Sequence, residues 1–292
     1  MLPELTTLLE ETSMLPSPEF LAHYTRPPAL IEICRRRALL AGVAANMNDW
    51  REQRIAVQLC ERALEFIGEG TATEFLYSWR AGPRELDTVG RTTPGIFTVS
   101  FSSELDSLEQ WRAYAPDPGS MALVFSWNQL ERVGEEAGFQ LVPCIYDPTL
   151  HAQLSNSLVE SFLPRITSIR QLSSHDLNSL VWEFHHSVST LAAILKDPSF
   201  KMEQEWRLIS PARAYWEPEN YEYLPGPRGI RQFLSVSLAP AFTLPEDQCT
   251  FTIGPNGDVD QMVQVAGGLG YQLAGPKFSV SYRYSETSLR TY

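Results

Sequence analysis

Residues 148–197 read PTLHAQLSNSLVESFLPRITSIRQLSSHDLNSLVWEFHHSVSTLAAILKD, and this segment decides the fold class. It has no glycine and, after Pro148, one proline, and its apolar residues recur with helical periodicity in two stretches. Between these stretches, Ser173-Ser174-His175-Asp176 is typical of a helix N-cap. The segment therefore predicts a pair of long helices. Strand-like sequence on both sides makes this pair a helical insertion.

The sequence on both sides alternates as strands do. Residues 96–102 read Ile-Phe-Thr-Val-Ser-Phe-Ser, which is the pattern of a half-buried strand. Strands are predicted at residues 20–25, 39–43, 96–102, 121–126, 140–146, 204–210, 230–238, 250–253 and 278–284. Helices outside the insertion are predicted at residues 1–13, 27–37, 51–66, 71–80, 107–115 and 258–267. We therefore predict an α+β fold with a mixed β-sheet core.

The predicted organisation is a single domain, residues 1–292. An N-terminal helical extension (1–19) precedes the first part of the α+β core (20–147). The helical insertion (148–197) separates this part from the second part of the core (198–292). The chain is long enough to bury a large core without disulfides or metal.

The charge of the chain limits its partners. It has 35 acidic and 23 basic residues, a formal net charge of −12. A general nucleic-acid coat needs a basic face, and so does binding to an anionic membrane surface, so neither is expected. A small local basic pocket for one phosphorylated ligand remains compatible with this charge.

The cysteines indicate a reducing compartment. Cys34, Cys60, Cys144 and Cys249 are scattered, without the spacing of a zinc site. We therefore expect four buried thiols and a cytoplasmic protein. The N-terminus lacks the basic and apolar regions of a signal peptide, and we expect no membrane-spanning segment.

The common nucleotide and metal motifs are missing from the sequence. Gly254-Pro255-Asn256-Gly257 is not followed by the Gly-Lys-Ser/Thr of a P-loop. Gly267-Gly268-Leu269-Gly270 follows a predicted helix, which is the wrong context for a dinucleotide-binding turn. His185 and His186 are adjacent on a predicted helix and point about 100° apart, so a shared metal is not expected.

Three places carry more polar residues than packing requires. They are His23-Tyr24-Thr25 at a strand end, residues 46–52 (Asn-Met-Asn-Asp-Trp-Arg-Glu), and residues 201–207 (Lys-Met-Glu-Gln-Glu-Trp-Arg). Taken singly, each has a structural interpretation: a satisfied core histidine, a helix N-cap with its capping partner, and a solvated edge strand.

Taken in order, these motifs resemble a known family. The series continues through residues 97–102, Gln110-Trp111-Arg112-Ala113-Tyr114, strands near residues 122–125 and 142–146, and Thr252-Ile253-Gly254-Pro255. This order resembles the bacterial family catalogued as domain of unknown function 2971, over roughly residues 20–256. Trp50 and Gln110 depart from the family pattern, which more often has Pro and Met at these positions.

A more distant similarity implies an activity. The His-x-Thr strand at residues 23–25, the Ser-rich strand with Ser100 and Ser102, and the late Glu-x-Glu at residues 203–205 look like the His-first branch of the ADP-ribosyltransferase superfamily. The resemblance implies the corresponding fold and NAD as substrate, without a metal. Such proteins in bacteria often act as toxins or defence effectors.

The chemistry implied by this resemblance is the cleavage of the bond between nicotinamide and ribose. The ribose then gains positive charge, which a nearby carboxylate stabilises. Glu205 would be this carboxylate, and Glu203 would orient the acceptor. On one strand, residues 203, 205 and 207 would share a face, so Arg207 would keep Glu205 ionised or bind a phosphate.

The other implied NAD contacts come from the first half of the chain. His23 would bond a ribose hydroxyl, Tyr24, Trp111 or Tyr114 would stack on a base, and Arg51 would meet the pyrophosphate. The full set of predicted NAD-binding residues is His23, Tyr24, Thr25, Asn48, Asp49, Arg51, Ser100, Ser102, Trp111, Tyr114 and Arg207.

Two further functions compete with this enzyme. The first is a non-catalytic module that binds a nucleotide or a protein, with the helical insertion as contact surface. The second is a hydrolase that uses Asp49 and Glu52 with Glu205 and a metal. For the transferase, the acidic charge favours a protein acceptor or water over nucleic acid. The feature that discriminates them is whether His23 and Glu205 share a cleft.

Overall fold

The computed structural model describes residues 17–44, 50–68, 70–81, 95–211, 221–226 and 229–287. The strands of this part of the chain form one sheet, which is antiparallel except for the pair formed by its two C-terminal strands. They are β1 (Phe20–Thr25), β2 (Ala38–Val43), β3 (Phe97–Ser102), β4 (Met121–Ser126), β5 (Gln140–Pro143), β6 (Glu205–Ile209), β7 (Tyr221–Gly226), β8 (Gly229–Ser237), β9 (Gln248–Ile253) and β10 (Ser279–Tyr284).

The α-helices cover both faces of this sheet. They are α1 (Pro27–Arg36), α2 (Trp50–Ile67), α3 (Thr71–Ala81), α4 (Leu108–Tyr114), α5 (Trp127–Ala137), α6 (Pro148–Ile166), α7 (Ser174–Ala192) and α8 (Val259–Ala274). Local sequence explains their ends. The side chain of Ser173 accepts a hydrogen bond from the backbone of Asp176 at the start of α7, and Gly138 ends α5 in a left-handed conformation.

The predicted α+β class is confirmed, and the inserted pair of helices is present as α6 and α7. The largest differences from the prediction concern four elements. The strand predicted at 140–146 ends at Pro143, the helix predicted at 258–267 continues to Ala274, and α5 and β7 had not been predicted. The helix predicted at residues 1–13 lies outside the described residues.

The sheet divides at β3. One edge of β3 pairs with β6 from Thr98 to Ser102. The other edge pairs with β1 at Ser102 and with β2 at Phe97 and Thr98. Because β1 and β2 diverge between these points, neither of them pairs with the middle of β3 around Ser100. This divergence opens the sheet beside β1.

Two large apolar clusters lie on opposite sides of β3 and β6. Phe97, Val99 and Phe101 of β3 belong to a cluster packed under α1, α5 and α8. A second cluster is formed mainly by α2, α3, α6 and α7. The face of β3 and β6 toward this second cluster carries Ser100, Ser102 and the charged residues of β6. A polar layer therefore separates the two clusters.

Two other sequence expectations concern cysteines and membrane spans. The four cysteines are buried and free, as expected. Among the helices of the described residues, none has both the length and the apolar character needed to cross a bilayer.

Candidate functional site

A cavity of about 310 Å³ lies over this polar layer, where β1 separates from β2. Strands β1, β3 and β6 form its floor, and α4 and the segment between α7 and β6 form its walls. The residues that line it are Ala22, His23, Tyr24, Ser100, Phe101, Ser102, Gln110, Tyr114, Lys196, Phe200, Glu203, Glu205 and Arg207. His23 and Glu205, whose common cleft was the discriminating feature, thus line the same cavity.

The side chain of His23 contacts β3 at the point where neither β1 nor β2 pairs with it. Its Nδ1 lies 2.9 Å from the carbonyl oxygen of Ser100, which neither β1 nor β2 reaches. Since a carbonyl only accepts, Nδ1 carries the proton and Nε2 is left as an acceptor on the neutral ring. Burial lowers the pKa of His23, and the bond to Ser100 opposes this only in part. The imidazole is therefore neutral at pH 7.

Glu205 and Arg207 form a buried ion pair on one face of β6. Arg207 Nε donates to Glu205 Oε1 at 2.7 Å, and Arg207 Nη2 donates to Oε2 at 3.1 Å. Arg207 Nη1 also donates to the carbonyl oxygen of Ala193, just after α7, at 2.6 Å. Lys196 Nζ donates to the same carboxylate. Burial alone would raise the pKa of Glu205, but these two cations outweigh it and lower the pKa to about 2.

Glu203 reaches the cavity from a different element than predicted. It ends a 3-10 helix, Pro198–Glu203, whereas β6 begins only at Glu205. The strand predicted to begin at residue 204, with residues 203, 205 and 207 on one face, is therefore wrong at its first residues. The reason is Gln204, whose φ of 44° is left-handed and breaks the extended chain between the two glutamates.

The carboxylate of Glu203 lies at the cavity wall. Tyr114 OH donates to its Oε1 at 3.1 Å, and Lys196 Nζ donates to its Oε2. Burial and the charge of Glu203 raise the pKa of Tyr114, which keeps this phenol protonated. The Glu203 side chain is 14% exposed, against 6% for Glu205. Glu203 is thus the more accessible of the two carboxylates.

Two polar side chains fix the backbone at Glu203. Ser102 Oγ donates to its carbonyl oxygen at 2.7 Å, and Gln110 Nε2 donates to the same oxygen at 3.2 Å. Gln110 was noted in the sequence only as a departure from the family pattern, yet it is 6% exposed and lines the cavity. These bonds hold the 3-10 helix against β3 and α4.

The aromatic residues of β1 and α4 differ in their placement relative to the cavity. Tyr24 packs edge-to-face on Trp111, with 4.7 Å between the ring centroids, and its hydroxyl donates to the carbonyl oxygen of Glu104 at 2.7 Å. Trp111 is fully buried, and its Nε1 donates to Asp106 Oδ1 at 2.7 Å. Trp111 is therefore a core residue on the buried face of α4, whereas Tyr114 lines the cavity and is 38% exposed.

Among the other predicted binding residues, the structure describes the side chains of Thr25 and Trp111, and neither lines the cavity. Thr25 is buried at the end of β1 and does not line it. Arg51 lies on α2, where its side chain is outside the described part of the chain, and Asn48 and Asp49 lie entirely outside it. Of the eleven predicted NAD-binding residues, six line the cavity: His23, Tyr24, Ser100, Ser102, Tyr114 and Arg207.

Sequence reasoning missed Lys196 and Phe200, which also line the cavity. Lys196 was hidden at the end of the helical insertion, where it follows the apolar run from Ala192 to Leu195. A lysine directly after such an apolar run was the signal available, because it indicates a buried lysine, and a buried lysine requires anionic partners. In the structure the Lys196 side chain is 4% exposed. Within the described residues, no three His, Cys, Asp or Glu side chains are grouped so that they could hold a metal ion.

Comparison with known proteins gave one match. A family model described as Protein of unknown function (DUF2971) matches residues 110–208, and no curated protein and no solved structure matched the chain. The matched residues include Lys196, Glu203, Glu205 and Arg207, and they begin at Gln110. Over residues 110–208 the chain is therefore similar to the family Protein of unknown function (DUF2971), the resemblance that its sequence motifs predicted.

Proposed function

We propose that this protein is an NAD-consuming enzyme of the ADP-ribosyltransferase type. The bond between ribose C1′ and the nicotinamide nitrogen breaks, and its electron pair neutralises the pyridinium nitrogen. A nucleophile from a macromolecule or from water then bonds to C1′ and loses its proton. No metal is required, since the leaving group departs as neutral nicotinamide.

The observation that carries the proposal is that a neutral histidine and two carboxylates line one cavity. His23 has Nε2 available as an acceptor for a ribose hydroxyl, because Nδ1 is committed to Ser100. Tyr114 and Phe200 supply aromatic rings for the nicotinamide. Either of the two carboxylates, Glu203 or Glu205, would stabilise positive charge that develops on a ribose bound in this cavity.

Between the two carboxylates, we assign the contact with ribose to Glu203. Both oxygens of Glu205 accept from Arg207, and one of them also accepts from Lys196, so its charge is already offset by two cations. Glu203 shares a single cation and accepts its other bond from a neutral phenol. The more exposed and less neutralised carboxylate stabilises a developing cation better.

The acceptor and setting complete the proposal. A net charge of −12 favours a protein acceptor or water over nucleic acid. The four buried free thiols suit the reducing cytoplasm. The resemblance to His-first ADP-ribosyltransferases supports a role as a bacterial toxin or defence effector.

Nicotinamide release from NAD tests the activity. We expect the wild type to release nicotinamide, and dependence on added cell lysate would separate a transferase from a hydrolase. Glu203→Gln should lower kcat about 10²-fold or more, because it removes charge at constant size. Glu183→Gln is the matched control, since Glu183 pairs with Arg165 on the exposed faces of α6 and α7. Unchanged release by Glu203→Gln would exclude it as the ribose carboxylate.

The predicted ligand contact of His23 has its own readout. His23→Ala should weaken NAD binding about 10-fold, the value of one hydrogen bond of about 1.4 kcal/mol. His175→Ala, at the exposed start of α7, should bind NAD as the wild type does. Calorimetric titration measures both. A lower melting temperature together with an unchanged affinity for NAD in His23→Ala would mean that the ring only packs.

A non-catalytic binding module is the second candidate. The observation in its favour is the pairing of Glu205, whose two oxygens are committed to Arg207 and Lys196. Such a network holds a cavity in shape without leaving a strong base in it. NAD binding by the folded wild type, without nicotinamide release in any condition, would support this candidate.

A further inference from the structure

Lys196 connects the helical insertion to the cavity. It follows α7, and its backbone N–H donates to the carbonyl oxygen of Ile145 at 2.9 Å, next to the parallel bridge between Ile145 and Leu195. Asp197 then caps the 3-10 helix that ends at Glu203. The backbone of Lys196 is thus fixed on both sides, and its side chain enters the cavity from a rigid position.

The ammonium group of Lys196 contacts both carboxylates of the cavity. Nζ donates to Glu203 Oε2 and to Glu205 Oε2, and it lies 5.3 Å from the centroid of the Phe200 ring. The Lys196 side chain is only 4% exposed. Because one ammonium touches both groups, Glu203 and Glu205 are neighbours although they belong to different elements.

Two neighbouring carboxylates in a buried place normally share one proton, since both cannot be ionised at little cost. Here Lys196 contacts both carboxylates and Arg207 contacts that of Glu205, so each carboxylate has a cation beside it. Of the two carboxylates, Arg207 contacts only that of Glu205. The carboxylate of Glu203 is therefore stabilised in its charged form by Lys196 and by a hydrogen bond from the neutral Tyr114. Removing the ammonium would leave the Glu203 carboxylate with only the neutral Tyr114 among its described partners.

We infer that Lys196 is a positioning residue that holds Glu203 and Glu205 side by side, both ionised, at the cavity wall. The charge state follows from the contacts alone, and its consequence for turnover rests on the proposed NAD cleavage. We assign the contact with the ribose to Glu203 and none to Lys196. It acts through Glu203, whose carboxylate it orients and keeps charged.

The test is carboxyl titration by NMR of protein labelled with ¹³C at the glutamate side chains, compared across variants. Lys196→Met should raise the apparent pKa of one carboxyl of the pair by about 1 to 3 units, so that it takes up a proton between about pH 4 and 7. Lys196→Arg should remove this added titration, because it restores the cation. Lys201→Met is the control, since Lys201 is exposed on the same 3-10 helix.

Two outcomes would overturn the inference: a folded Lys196→Met protein that titrates as Lys201→Met does, or a Lys196→Arg protein that titrates as Lys196→Met does. If Lys196→Met does not fold, the double variant Lys196→Met/Glu203→Gln decides. It removes the ammonium together with the carboxylate that depends on it and leaves the Arg207–Glu205 pair in place, so we expect it to fold and to lack the added titration. A double variant that stays unfolded would also contradict the inference.

Turnover separates this inference from the proposed function. If NAD is cleaved, Lys196→Met should move the acid limb of the kcat profile to higher pH and lower kcat at pH 7 about 10-fold, with little change in KM. If NAD is not cleaved by any variant, the proposed function fails, while the carboxyl titration still decides the role of Lys196.

Discussion

Replacing Glu205 with glutamine should remove a defined part of the stability of the protein. The two cations hold the pKa of Glu205 at about 2 in the folded chain, against an ordinary value of 4.5. At about 1.4 kcal/mol per pH unit, this difference corresponds to about 3 kcal/mol of unfolding free energy. Because the folded pKa is the lower one, the contribution is complete above about pH 5 and disappears as the pH falls toward 2.

Denaturant unfolding of both proteins between pH 3 and pH 7 measures this contribution. We expect Glu205→Gln to be about 3 kcal/mol less stable than the wild type at pH 7. The difference should shrink with a slope that approaches about 1.4 kcal/mol per pH unit near pH 3, since Glu205 is then protonated in the unfolded wild type but still ionised in the folded one. Glu183→Gln, in an exposed pair, should show no comparable slope. A difference that stays constant with pH would refute the assigned charge network.

Two other substitutions test the backbone and the helical cluster. Gln204→Gly should leave stability unchanged or raise it by up to about 1 kcal/mol, because the φ of 44° favours glycine. Gln204→Val should lower stability by about 1–2 kcal/mol. Thermal unfolding compares the two variants, and equal effects would contradict the argument. Phe184→Ala should lower the free energy of unfolding, measured with denaturant, by about 3–5 kcal/mol. The reason is that Phe184 is fully buried and packs edge-to-face on Phe75, Trp79 and Phe162. A loss of stability below about 1 kcal/mol would show that the cluster collapses around the gap.

Local sequence patterns predicted most elements of the fold. Alternation and helical periodicity are local properties, so β1, β3, β4, α6 and α7 were found close to their observed bounds. The omission of α5 has a specific cause. Ser126 ends β4 and also accepts a bond from the backbone of Gln129 in a capping box, so strand and helix follow without a loop.

The cavity could be predicted only in part, because it is assembled by distant pairings. His23, Ser100 and Arg207 meet through the register of β3 with β6 and the divergence of β1 from β2. Periodicity in one segment does not contain such pairings. The family resemblance grouped His23 with the glutamates, but it carried no information about Lys196, whose role depends on where α7 ends.

The charges of β6 also have a consequence for how the chain finds its pairing. Glu205 and Arg207 point to the polar layer, while Trp206 and Leu208 point into the apolar cluster on the other face. A slip of β6 by one residue against β3 would exchange the faces and bury both charges without partners, at a cost of several kcal/mol for each. The ion network therefore penalises wrong alignments of β3 and β6, which are separated by more than a hundred residues of sequence. Only the observed register lets these two strands pair without burying unpaired charges.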